Sequence, residues 1–212
     1  MLAYIKSFCF FILLISLTAF YFTLLLGEKI TFWLLRKEHN SHHTHFLATC
    51  WARALFRMTP GWKLSIEGSS HLPKENQAYV IVANHESATD ILAIYFLGLQ
   101  FRWLAKKELF NFPMFGQAMK WAGYVPIIRQ NRSSHSQALK ESLRWLEKKV
   151  PMLFFPEGTR SRTGSPKTFK VGAFKLAHDA HVPILPIVLK GAGHLLKKGT
   201  LCPQKATLYM KI

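Results

Sequence analysis

Three hydrophobic rhythms divide the chain. From Phe8 to Leu26, "FCFFILLISLTAFYFTLLL" carries no charge and is long enough as a helix to cross or deeply enter a bilayer core. It is expected to be a retained anchor: it exceeds a usual signal-peptide core, and no small-x-small cleavage site precedes "GEKITFWLLRK". "THFLATCWARALFRM" follows with Leu47, Trp51, Leu55 and Met58 on one stripe and Arg53 and Arg57 elsewhere. That pattern suits a helix in a lipid interface and equally one packed on the rest of the protein.

After "TPGW" (Thr59–Trp62) the rhythm shortens. "WKLSIEG", "YVIVAN", "FRWLAK", "YVPII", "PMLFFPEG", "VPILPIVLKG" and "ATLYMKI" read as strands, "YVIVAN" as one buried on both faces. Between them lie helical patterns: one from near Ser87 through "ILAIYFL", then "PMFGQAMKWA", "SSHSQALKESLRWLEKKV" and "FKVGAFKLAHDA". In the third, Leu139, Leu143, Leu146 and Val150 share a face, with serines before it and lysines in its last turn. Strands alternating with helices predict an α/β domain with a central, mostly parallel sheet flanked by helices. The expected organisation is an N-terminal helical membrane anchor over 1–60 and an α/β domain over 61–212, with a further C-terminal portion left open.

Composition adds an electrostatic constraint. The chain has 212 residues and 50% hydrophobic content, enough to fill a core. Its 28 Lys and Arg against 11 Asp and Glu give +17, mostly after the anchor, which calls for an anionic partner. Nucleic acid is disfavoured, since no binding motif appears and the aromatics sit in apolar runs rather than among lysines. Cys9, Cys50 and Cys202 form no CxxC and read as reduced thiols. "KEHNSHHTH", with His39, His42, His43 and His45, lacks a partner carboxylate or cysteine pattern and reads as a connector at headgroup level, with no metal expected. Lys29, Arg36 and Lys37 after the apolar run, against Lys6 before it, favour a cytoplasmic main domain.

The polar motifs "NHESATD", "IIRQNR" and "EGTRSRTG" each follow an apolar strand, so one sheet edge collects them, where α/β folds bind ligands. His85 sits between a buried strand and a helix, with Asp90 five residues on. In a regular helix that spacing is about 140° of rotation. Contact therefore requires His85 to precede the helix and fold back over its first turn. In that geometry the carboxylate holds one ring nitrogen protonated and leaves the other to accept a substrate proton; a structural histidine with an acid in the first turn looks the same. Thr89 stands where an HExxH zinc helix needs its second histidine, neither GxSxG nor a P-loop is present, and Ser87 suits capping better than nucleophilic attack. In "FFPEGTRSRTG", Arg160 and Arg162 offer forked donors and Thr159 and Ser161 hydroxyls, a set suited to a phosphate or to a basic surface loop. Glu157 among them can position an arginine or bind a substrate hydroxyl. Arg129 and Lys170 can extend the basic pocket, though each alone reads as a solvated cation.

In order along Val82–Leu189, Asn84, His85 and Asp90 form NHxxxxD, Gly123–Arg129 a block ending in arginine, Phe155–Ser161 FPEGTRS, and Val182–Pro186 a proline-containing block. In these the chain resembles the glycerophospholipid acyltransferase family, specifically the 1-acyl-glycerol-3-phosphate (lysophosphatidate) acyltransferases. The resemblance implies that His85 is the general base and Asp90 its orienting partner. It implies that Arg129, Glu157, Gly158, Thr159 and Arg160 hold the acceptor phosphate. It also implies a two-helix membrane anchor in contact with membrane phospholipid, and an acyl-CoA or acyl carrier protein thioester as co-substrate, with no metal and no other cofactor. The expected reaction acylates lysophosphatidate to phosphatidate. A different lysolipid acceptor, such as a lysophospholipid or lyso-ornithine lipid, and a non-catalytic basic membrane-binding module are the alternatives.

Overall fold

The computed structural model describes every residue except His39, Lys74, Glu75, Arg162, Thr163 and Gly164. Arg162 and His39, both singled out above, thus lie outside the described residues. The first two helices form an antiparallel pair: α1 (Leu2–Leu34) and α2 (Ser41–Met58) are joined by a Trp51 Nε1 bond to Thr18 Oγ1 at 3.2 Å and by His43 Nδ1 against Glu28 at 2.8 Å. The 33 residues of α1 span about 50 Å at helical rise. One side of α1 grips the protein, with Phe10 against Trp62 and Phe22 stacked on Trp121. The remainder leaves Phe8, Phe11, Ile15, Phe20 and Trp33 exposed, an apolar surface suited to lipid.

The histidine connector is corrected here. α2 begins at Ser41, with Asn40 Oδ1 accepting the His42 amide at 2.9 Å, so His42, His43 and His45 are helical. His45 is wholly buried. Its Nε2–H donates to Leu99 O and its Nδ1 accepts from Tyr124 OH, each at 3.0 Å, while Tyr95 OH lies 2.5 Å from Tyr124 OH. The inward face of α2 is Thr44, His45, Thr49, Ala52, Leu55 and Phe56, half of it polar, and Met58 is exposed. A purely apolar stripe therefore misplaces the face by part of a turn. Of the two readings offered for this helix, packing on the protein is the one observed, and Arg53 fastens it by donating to Tyr95 O and Phe96 O.

The expected strands all form: β1 (Trp62–Glu67), β2 (Val80–Ala83), β3 (Arg102–Lys106), β4 (Val125–Ile127), β5 (Met152–Phe154), β6 (Ile184–Lys190) and β7 (Ala206–Lys211). They build one seven-stranded sheet in the order β1-β7-β6-β2-β5-β3-β4, parallel throughout except for the β6–β7 pair. Between them run α3 (Thr89–Ile94), α4 (Phe115–Trp121), α5 (Arg132–Glu147), α6 (Gly172–Asp179) and the short α7 (Ala192–Leu195). β2 is buried at all four positions because alternate side chains enter different layers. Ile81 and Ala83 join the core formed with α2 and α3; Val80 and Val82 join that of α5 and α6. The expected α/β architecture is therefore the observed one.

His45 has its pKa pushed down to about 3 from an ordinary 6.5, chiefly by burial and then by the nearby Arg102. A depressed histidine pKa means that below pH 6.5 the unfolded chain binds a proton that the folded chain refuses, so stability falls with acidification. Relative to His45→Gln, the wild type should lose about 1 kcal/mol more stability per pH unit between pH 6 and 4. Chemical denaturation of both proteins across that range checks it.

Candidate active site

β2 ends in a side-chain imitation of a strand. Asn84 Oδ1 accepts the Leu189 amide and its Nδ2 donates to Leu189 O, both at 2.7 Å, so the ladder to β6 continues one step while the main chain turns away. The peptide of His85 is then held from both ends by the loop after β5. Its N–H donates to Glu157 Oε1 at 2.9 Å, and its carbonyl accepts from the Ser161 amide at 2.7 Å.

The imidazole stacks on Phe155 at 4.0 Å between ring centroids. Its Nδ1–H donates to Asp90 Oδ2 at 2.7 Å, and the same oxygen accepts the amides of Glu86 at 2.7 Å and Ser87 at 2.8 Å. This explains why α3 starts at Thr89 rather than near Ser87: the amides of the preceding turn are committed to Asp90. His85 accordingly precedes the helix and folds back, the geometry that five-residue spacing requires. Asp90 is fully buried, and its Oδ1 has no partner among the described residues. The Nδ1 proton directs the lone pair of Nε2 away from Asp90, and His85 lines a cavity of about 580 Å³.

Around that cavity the loop residues divide. Arg160, half-buried, lines it with Arg129 and Lys170, so three cations share its mouth. The pKa of Arg160 is lowered, first by burial and then by Arg129, with Asp90 acting in the opposite sense. Gly158 also lines the cavity; its φ of +70° and the Lys170 amine, 3.0 Å from where a Cβ would lie, both favour glycine. Glu157 faces inward: its second oxygen accepts the Lys167 amide at 3.1 Å, so both oxygens bind backbone. It positions His85 and the loop, and neither it nor Thr159 lines the cavity. Ser87 is buried with its hydroxyl donated to Leu196 O at 2.6 Å, which removes it as a nucleophile. Among the described residues no three His, Cys, Asp or Glu side chains converge as a metal site.

The apolar part of the cavity has no counterpart in the motif reading. Phe10 and Leu14 of α1, Leu47 and Trp51 of α2, and Leu92 and Met119 wall it, and Tyr95 and Tyr124 also line it. These positions come from elements far apart in sequence and read individually as anchor or core. Lys170 lines the cavity beside Arg129, as the basic-pocket reading allows, whereas His135, held by the Arg129 carbonyl at 2.9 Å, carries no signal in the sequence.

The acyltransferase family model matches residues 63–190. The chloroplastic 1-acyl-sn-glycerol-3-phosphate acyltransferase LPAT1 of Arabidopsis thaliana is 35% identical over 191 residues, covering 90% of this chain and 53% of the relative. Its Brassica napus counterpart BAT2 is 34% identical over 90% of this chain and 55% of the relative. The chain thus spans about half the length of these curated relatives. Among solved structures, the 1-acyl-sn-glycerophosphate (LPA) acyltransferase PlsC from Thermotoga maritima superposes with a TM-score of 0.72 at 26% identity, covering 93% of this chain and 82% of that one.

The hydrogen bonding fixes the His85 tautomer. Nitrogen NMR of the neutral ring should show its proton on Nδ1 rather than Nε2, and Asp90→Asn should erase that preference. A wild-type ring with its proton on Nε2 would contradict the arrangement.

Proposed function

Because this chain belongs to the acyltransferase family, we propose that it transfers a fatty acyl group from a thioester to the free sn-2 hydroxyl of lysophosphatidate, giving phosphatidate. The observation that carries this reading is the position of His85, on a cavity with a cationic mouth at Arg129, Arg160 and Lys170 and a long apolar interior. A lysophosphatidate phosphate suits the first part and an acyl chain the second. Similarity to proteins named for this acceptor supports the choice.

In the proposed reaction, His85 Nε2 takes the hydroxyl proton as the oxygen forms its bond to the thioester carbonyl carbon. Asp90, hydrogen-bonded to Nδ1, stabilises the imidazolium. As the tetrahedral adduct collapses, the C–S bond breaks and the proton passes from Nε2 to the leaving sulfur. No acyl-enzyme forms, and no metal or cofactor is needed beyond the acyl-CoA or acyl carrier protein thioester. The amides of Glu86 and Ser87 already bind Asp90, and that of Gly158 binds Phe155 O, so oxyanion stabilisation must come from other donors.

Lipid substrates account for the anchor. The exposed apolar face of α1 holds the enzyme in the bilayer, with membrane phospholipid around it. Lys29, Arg36 and Lys37, close to the far end of the apolar run, favour placing the site on the cytoplasmic face.

With lysophosphatidate and a defined acyl thioester, His85→Ala should lower kcat by about 10²–10⁴-fold while membrane association is unchanged. Arg160→Ala should raise KM for lysophosphatidate by about tenfold or more, and much less for a lysophospholipid without a phosphate monoester. Full turnover in His85→Ala would overturn the mechanism, and indifference of every acceptor to Arg160→Ala would overturn the phosphate site. Parallel assays with acyl-CoA and acyl carrier protein identify the donor.

A further inference from the structure

A second cationic site lies at the opposite edge of the sheet. Arg102 opens β3, at the N-terminal ends of the parallel strands, whereas His85 follows the C-terminal end of β2. Its side chain is completely buried. Nη1 donates to Phe101 O and Nη2 to Ser41 Oγ, each at 3.0 Å, and the guanidinium lies 5.0 Å from the Trp145 ring centre. Among the described residues no carboxylate pairs with it, and Nε is buried without an acceptor. A buried cation without a counter-charge is costly, and an anion bound close to it would relieve that cost.

The space for such an anion lies beyond Ser41 and Trp145, which line it and contact Arg102, while Arg102 itself does not line it. A hollow of about 470 Å³ is walled by Asn40, Ser41 and His42 at the start of α2, by Trp145 and Lys148 at the end of α5, and by Glu38. Ser41 Oγ spends a lone pair on Arg102, which leaves its own proton to donate into the hollow. The first turn of α2, an 18-residue helix, adds its positive end. Lys148 Nζ sits 5.4 Å from the same indole that Arg102 faces. His42 has its pKa lowered by burial, Arg102 and His43, so near neutrality it contributes hydrogen bonding rather than charge. Donors from separate directions around one cationic centre suit a tetrahedral oxyanion better than a planar carboxylate.

We propose that this hollow is a second phosphate-binding site, distinct from the catalytic cavity, in which Ser41 and Lys148 contact the phosphate and Arg102 supplies charge from beneath. The shared chemistry is a phosphate group, carried by a phospholipid headgroup beside the α1–α2 connector or free in solution. Glu38 opposes occupancy, which makes it a sensitive control.

Hydrogen–deuterium exchange of the full-length chain tests the proposal. One arm adds inorganic phosphate in neutral detergent; the other uses vesicles of phosphatidylcholine with or without phosphatidylglycerol. Lysophosphatidate is left out because the catalytic cavity is proposed to take it. Several-fold slower exchange over residues 41–45 is expected in at least one arm: with inorganic phosphate if the ligand is soluble, or with anionic vesicles alone if it is a headgroup. Lys148→Glu combined with Ser41→Ala should abolish the slowing, Glu38→Gln should enhance it, and His85→Ala should leave it unchanged. No slowing in either arm, equal slowing by chloride at matched ionic strength, or full slowing in the Lys148→Glu, Ser41→Ala variant would overturn the proposal.

Discussion

One carboxylate oxygen organises the site. Asp90 Oδ2 gathers an imidazole N–H and two backbone amides within 2.8 Å, and each bond does separate work. The two amides keep Glu86 and Ser87 out of the helix, so His85 lies ahead of it. The third fixes the ring and its tautomer. Glu157 performs the matching task from the loop after the neighbouring strand β5: one oxygen holds the His85 amide and the other its own loop. Two buried acids, separated in sequence by three strands and two helices, thus fix one histidine through backbone as much as through side chain. Removing either would leave committed donors without acceptors, which is more disruptive than losing a single ion pair.

Much of the fold is legible in the letters because its signals are local. β2 and β5 are short unbroken apolar runs, and they prove buried at every position. Of the apolar face read for α5, Leu146 and Val150 are buried and Leu139 and Leu143 pack half-buried against the same core, with Ala138 and Ser142 buried beside them. The pairing of His85 with Asp90 could be posed from spacing but not decided, since the answer depends on where α3 begins. That start is set by hydrogen bonds rather than by propensity. Glu157 was ambiguous for a similar reason: an acid beside arginines reads as an ion-pair partner, and only tertiary contacts show both oxygens turned to amides.

The residues that escaped sequence reasoning share a cause. His45 belongs to a polar cluster and carries no apolar signature, yet Leu99 and Tyr124 satisfy both its nitrogens, and satisfaction rather than polarity decides whether a side chain can be buried. The apolar cavity lining is dispersed over α1, α2, α3 and α4, where each residue looks like ordinary core or anchor. A surface assembled from many elements leaves no motif. Arg102 is the converse: a cation inside a strand invites a solvent-facing reading, and its burial becomes visible only with the helices in place.

The contribution of Phe10 and Leu14 to the cavity wall has a consequence for how this molecule can vary. A tether that merely holds an enzyme at a surface can be shortened, exchanged or cut away without altering the chemistry. Here the proposed tether is also masonry: its inner face bounds the chamber while its outer face is exposed and apolar. Deleting it would open the chamber along one side, and resizing its inward residues would reshape the space offered to a hydrocarbon chain. On the function proposed above, adaptation to a different bilayer is confined to the outward residues of α1, and adaptation to a different chain to the inward ones.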